Sequence, residues 1–120
     1  MRFLCIYKPG KPEGAPPTQQ EMTAMGKLIE EAMKAGWLLS TEGCLPSAKG
    51  ARARLTGGKF TVADGPFAEA KELIGGFSII QANSKEEAIE HTKYFLQVAG
   101  GGETEIRELY EAPAAASSTR

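Results

Sequence analysis

The sequence predicts an α+β fold in which one antiparallel sheet carries both helices of the chain on one face, and three observations support it. Apolar residues recur at helical spacing over only two stretches, 18–35 and 84–99. Strand-like runs flank each stretch, giving two β-α-β units with a pair of short alternating segments between them, joined by Gly57-Gly58. The chain has 120 residues, 42% apolar and 24% charged, which is the size and composition of a single soluble domain.

The first element, RFLCIYK (2–8), sets Phe3, Cys5 and Tyr7 on one side and Leu4 and Ile6 on the other, so both faces are apolar, as in a central strand. PGKPEGAPP (9–17) holds four prolines and two glycines and reads as a loop. Thr18 caps the following helix, and Glu21 completes a capping box. Met22, Met25, Gly26, Ile29 and Met33 form the expected buried stripe, Lys27, Glu30, Glu31 and Lys34 face water, and Gly36 ends the helix. WLLSTEG (37–43) is a second strand, followed by the loop CLPSAKG.

ARARLT and KFTVAD form a hairpin around Gly57-Gly58, a turn whose two positions accept positive φ. If Thr56 pairs with Lys59, then Leu55 faces Phe60 and Ala53 faces Val62 on one side, with Arg52, Arg54 and Thr61 on the other. The same alternation puts Asp64 on the apolar side. IGGFSIIQA (74–82) is the next strand, with Phe77 and Ile79 on one face and Ile80 on the other. Ser84 and Glu87 form a second capping box, opening a helix with a stripe of Ala88, Thr92, Phe95, Leu96 and Ala99 that stops at Gly100, Gly101 and Gly102. TEIRELYE (104–111) closes a single domain over 1–111, and APAAASSTR (112–120) has too little apolar bulk to pack and reads as a disordered tail.

This order is that of a ferredoxin-like sandwich. Two helices cover one face of such a sheet, yet the strands from Arg2 and Ile74 are apolar on both. Leaving Phe3, Tyr7, Phe77 and Ile79 in water would forfeit about 1.5–3 kcal/mol for each side chain. A second copy of the sheet is the simplest cover, so the expected assembly is a two-fold symmetric homodimer with the sheets face to face.

Other classes are disfavoured. The formal charge of −1, with both signs mixed along the chain, supplies no basic stripe for nucleic acid. No apolar run reaches membrane-spanning length and no cleavable signal pattern opens the sequence, so the expected location is the cytoplasm. Cys5 and Cys44 are far apart and distant from His91, so no metal site is expected, and both thiols read as small buried apolar side chains. There is no cofactor motif.

DGPFAEAKELIGGF, set after a Gly-Gly hairpin and before a capped helix, resembles the signature of the YCII-related, DGPF-domain family. GWLLSTEGCLPSA and EIRELYE sit where that family carries its glycine-leucine-proline segment and last strand, so the resemblance covers nearly all of 1–111. It implies a dimeric α+β barrel, akin to muconolactone isomerases and cofactor-free monooxygenases, without implying a particular reaction. Shorter YCII-type relatives carry an early histidine suspected of acid-base work with an aspartate. Here the only histidine is His91, in the second helix at the margin of its apolar stripe, so that mechanism does not transfer and an edge-packed or solvated role is expected.

Asp64 is the candidate catalytic residue. As a turn residue it can accept backbone hydrogen bonds, with Gly65 giving freedom, Pro66 fixing φ and Phe67 plugging the loop. As a carboxylate on an apolar side near a cavity it would be partly desolvated, which raises its pKa and suits it to proton transfer. Tyr7, Phe67, Lys71 and Glu72 are the candidate cavity or ligand residues, Tyr7 as a hydrogen-bond donor and Lys71 or Glu72 reaching back towards Asp64. Arg52 and Arg54 read as solvated. The expected function is a homodimeric barrel that binds a small molecule, with cofactor-free acid-base chemistry by Asp64. The alternative is a non-catalytic interaction module, since related domains occur attached to transcription-initiation factors.

Overall fold

Thr18 opens the first helix as a full capping box: its side chain accepts from Glu21 N at 3.1 Å and its own N–H donates to Glu21 Oε1 at 2.9 Å. The computed structural model describes residues 1–13, 16–69 and 73–111. Its elements are β1 (Arg2–Lys8), α1 (Gln19–Ala35), β2 (Leu38–Gly43), a 3-10 turn at Ser47–Lys49, β3 (Ala51–Thr56), β4 (Lys59–Asp64), β5 (Gly76–Gln81), α2 (Lys85–Ala99) and β6 (Glu103–Glu108). Gly36 and Gly100 end the two helices in left-handed caps. At α2 only half of the expected box forms: Ser84 accepts from Glu87 N, while the Glu87 carboxylate takes the Asn83 amide instead.

β1, β2, β5 and β6 make one antiparallel sheet in the order β2-β5-β1-β6, the ferredoxin-like arrangement expected, with β1 paired on both sides. β3 and β4 form a separate two-stranded sheet inserted between β2 and β5. Its register is the one the Gly57-Gly58 turn dictates, with Leu55 opposite Phe60, Ala53 opposite Val62 and Ala51 opposite Asp64, and both turn glycines have positive φ.

The core lies between the four-stranded sheet and the helices. Phe3, Cys5, Ile80 and Ala82 from the sheet meet Leu28, Ala32 and Ala88 from the helices, with Phe3 only 1% exposed. Two expectations are corrected here. The buried row of α1 runs through Leu28 and Ala32, with Met25 and Ile29 beside it, whereas Met22 and Met33 are about half exposed. The helix is thus rotated by one row, because Met and Leu are equally apolar and only the position of the sheet decides between the rows. Phe3 and Tyr7 also lie on the helix side of β1, not on its open side. The open face carries Leu4 and Ile6, in register with Ile79 and Phe77.

That open face leaves Leu4, Ile6 and Ile79 only partly buried and Phe77 38% exposed. Along β6 it turns charged: Lys8 bridges Glu105 at 3.2 Å and Glu103 at 3.9 Å, and Arg107 bridges Glu105 at 2.7 Å. The expected terminal tail, 112–120, lies outside the described residues. Among the described residues no helix is long and apolar enough to cross a membrane.

Candidate functional site

The helices do not close down on the whole sheet. Between them and the strands lies a cavity of about 420 Å³. Its floor is the helix side of the sheet, including Cys5, Tyr7 and Ser78, and its roof comes from Met25 and Ile29 of α1 and His91 and Phe95 of α2. Trp37, entering β2 just after the Gly36 cap, and Thr104 of β6 complete the wall. The lining is mainly apolar with a few polar side chains, the usual make-up of a small-molecule site.

Most of those polar groups are already committed within the chain. Thr92 Oγ1 donates to Ala88 O at 2.9 Å, Thr41 Oγ1 to Phe77 O at 3.4 Å and Tyr7 Oη to Gly101 O at 3.3 Å. The Tyr7 ring meets Phe95 edge to face, with centroids 5.1 Å apart. Burial pushes the Cys5 thiol above its ordinary value, against the opposing pull of hydrogen bonds with Thr92 and Ser78, so Cys5 is a protonated, apolar floor residue. Cys44 departs from expectation: it is exposed.

The imidazole of His91 stacks on the Trp37 indole, 4.0 Å between centroids and 6° from parallel. This pair answers the expectation of an edge-packed histidine and adds a cavity position to it. Neither residue stood out as a site residue in the sequence, since the two are far apart along the chain and meet only once α2 crosses the start of β2. The usable signal was the marginal place of His91 on its helical stripe.

Of the described residues among those expected to act, Tyr7 stands on this cavity within one protomer, and Asp64 and Phe67 do not. Asp64 ends β4 on the predicted side of the hairpin, but that side is exposed along its whole length, so the expected drying does not occur in a single chain. Parity identifies a side chain's direction without identifying what covers it. Phe67 is half-buried at the base of the hairpin, its N–H donating to Ser47 Oγ at 3.0 Å and its ring beneath the Arg52 guanidinium at 3.9 Å. Arg52 is exposed, as expected of a solvated residue, while its guanidinium also packs on the Phe67 ring. Lys71 and Glu72 lie outside the described residues.

Two glycines of the motif have steric causes. A Cβ on Gly65 would overlap the Ser47 carbonyl, and Gly65 N donates to Gly50 O at 3.0 Å, which ties the base of the hairpin to the 3-10 turn. A Cβ on Gly76 would stand 2.6 Å from Glu42 O, where β5 pairs with β2 in the cavity lining. Among the described residues no group of three or more His, Cys, Asp or Glu side chains is placed to hold a metal ion.

Comparison with known proteins agrees with this architecture. A family model for the YCII-related domain matches residues 1–112. Among solved structures, the chain is similar to 5-chloro-2-hydroxyhydroquinone dehydrochlorinase (TftG) from Burkholderia phenoliruptrix AC1100, in complex with 2,5-dihydroxybenzoquinone, with a TM-score of 0.50 and 16% identity over 93% of this chain and 96% of that one. At that identity the likeness speaks for the fold. No curated protein matches significantly. The chain belongs to the YCII-related family.

Proposed function

We propose that this YCII-related chain works as a homodimer whose protomers each bind a small, ring-sized molecule in the cavity between helices and sheet. The observation that carries the reading is the cavity itself. At about 420 Å³ it falls within the roughly 300–1,000 Å³ range of small-molecule sites. It is also too large for a packing defect in an interior that is otherwise close-packed. The ligand named with TftG is a flat, oxygen-bearing ring, which makes 2,5-dihydroxybenzoquinone a rational first probe. Calorimetric titration of the full chain with it is expected to give saturable binding that the cavity-filling variant Ile29→Trp weakens about fivefold or more, as a cost of about 1–3 kcal/mol for overpacking requires. Equal binding by both proteins, or none by either, counts against the cavity as the site.

The homodimer in this reading is supported by apolar surface that one chain leaves uncovered. Leu4, Ile6, Phe77 and Ile79 line the open face of the sheet. On the hairpin, Leu55, Phe60 and Val62 are 70%, 64% and 56% exposed along one side. A two-stranded hairpin is at best marginal by itself, so a second copy that covers it would stabilise the hairpin as well as the sheet.

Asp64 is the proposed base. It does not line the cavity of its own protomer, so the role requires the hairpin to cross the seam to the partner's cavity, where its apolar neighbours on the hairpin face and the partner would dry it. The chemistry is cofactor-free proton transfer on a carbonyl- or enol-bearing ring. Its test is exchange of ring hydrogen for deuterium on dihydroxybenzoquinone in heavy water, followed by NMR. Asp64→Asn is expected to slow exchange by about 10²-fold or more while leaving affinity within a few fold; unchanged exchange removes Asp64 from the role. A second reading, a non-catalytic interaction module, is favoured by the exposed apolar side of the hairpin alone. It predicts a chain that binds no ring compound.

A further inference from the structure

Two polar atoms on the cavity wall have no hydrogen-bond partner among the described residues although both are buried: His91 Nε2 and Thr104 Oγ1. The remaining exposure of the His91 side chain, 23%, belongs to other atoms of the residue. Buried nitrogens and hydroxyls are seldom left unpaired, because each forfeits the hydrogen bonds it made to water. Among the described residues the nearest acidic oxygen to Nε2 is Glu87 Oε1 at 3.7 Å, beyond hydrogen-bond reach. Both residues line the same cavity, and its Thr92, Thr41 and Tyr7 hydroxyls already have partners in the chain.

We propose that His91 and Thr104 are the polar anchors of this cavity, taking a planar ring that carries a hydroxyl or carbonyl group. The proposal rests on the cavity reading above and adds the residues and the functional group that confer specificity. A neutral imidazole donates through one ring nitrogen and accepts through the other, and a threonine hydroxyl does both, so one oxygen substituent can satisfy either atom. The parallel Trp37 indole holds the imidazole plane, so the fold itself sets the plane in which that hydrogen bond lies. Tyr7 and Phe95 supply aromatic surface for the body of the ring. A site built in this way discriminates strongly against an analogue that lacks the oxygen, because the buried groups then stay unpaired.

Hydroquinone and p-xylene have nearly the same shape and differ by hydroxyl in place of methyl, so the change in their relative affinity between the wild-type chain and a variant, read by calorimetry on the full chain, isolates the polar contribution. The wild-type chain is expected to prefer hydroquinone by about tenfold or more. His91→Phe keeps a ring against Trp37 and removes the orphan nitrogen, so the preference should collapse while the melting temperature holds or rises. Thr104→Val should reduce the preference by a smaller factor, and it stands as an independent variant if His91→Phe does not fold. A histidine kept only for packing would show a lower melting temperature and the same preference. An unchanged preference in both variants overturns the anchors while leaving the cavity as a binding site. Failure of both compounds to bind the wild-type chain overturns the cavity reading and the anchors together.

Discussion

Glu21 shows how one side chain can couple the loop before α1 to acid stability. Its carboxyl is held down at about 2, first by the Thr18 backbone N–H and then by Lys11 and the Thr18 hydroxyl. A depressed folded-state pKa stabilises the protein above the unfolded value and loses that contribution as pH falls through the folded one. Acid titration followed by thermal melts is therefore expected to lower the melting temperature between about pH 4.5 and about pH 2, and Glu21→Ala should flatten that part of the profile. Glu105, lowered by its hydrogen bonds to Lys8 and Arg107, acts in the same direction. Gly65 makes a different residue-scale prediction. Gly65→Ala drives a methyl into the Ser47 carbonyl and should destabilise the fold by about 1–3 kcal/mol in urea. The DGPF motif thus has a structural component that the sequence could describe only as a turn, because the atom forbidding a side chain comes from a segment folded back from residue 47.

At the scale of elements, legibility depended on how local the deciding interaction was. The hairpin could be read down to its register because Gly57 and Gly58 fix the turn, and the turn fixes every pair behind it. Helix boundaries were legible for the same reason, through Thr18, Gly36, Ser84 and Gly100. The buried row of α1 was not, since Met22 and Leu28 differ only in what the fold sets against them. The His91–Trp37 stack was hidden likewise, being a meeting of α2 with the start of β2. The hairpin carries its own prediction. Leu55 and Phe60 touch little within one chain, so Leu55→Ser with Phe60→Ser should change the stability of an isolated protomer by no more than about 0.5 kcal/mol for each substitution. The same pair should weaken dimerisation, seen as concentration-dependent dissociation in sedimentation. Loss of protomer stability without any change in association would mean that the hairpin packs within its own chain.

For the whole molecule, the organising fact is a sheet whose two sides have different work. The helix side buries Phe3 and Ile80 and leaves a ring-sized space beside them. The open side leaves Leu4, Ile6 and Ile79 half-buried and Phe77 exposed, next to a charged edge. The proposed dimer joins these sides into one account: pairing of the open faces holds the sheets rigid, and rigid sheets keep the cavities from collapsing. Native mass spectrometry of the full chain with 2,5-dihydroxybenzoquinone tests this most directly. The account predicts ions at twice the 12.8 kDa chain mass that carry ligand, with the ligand lost in Ile29→Trp. Bare ions of 12.8 kDa at millimolar ligand would contradict it.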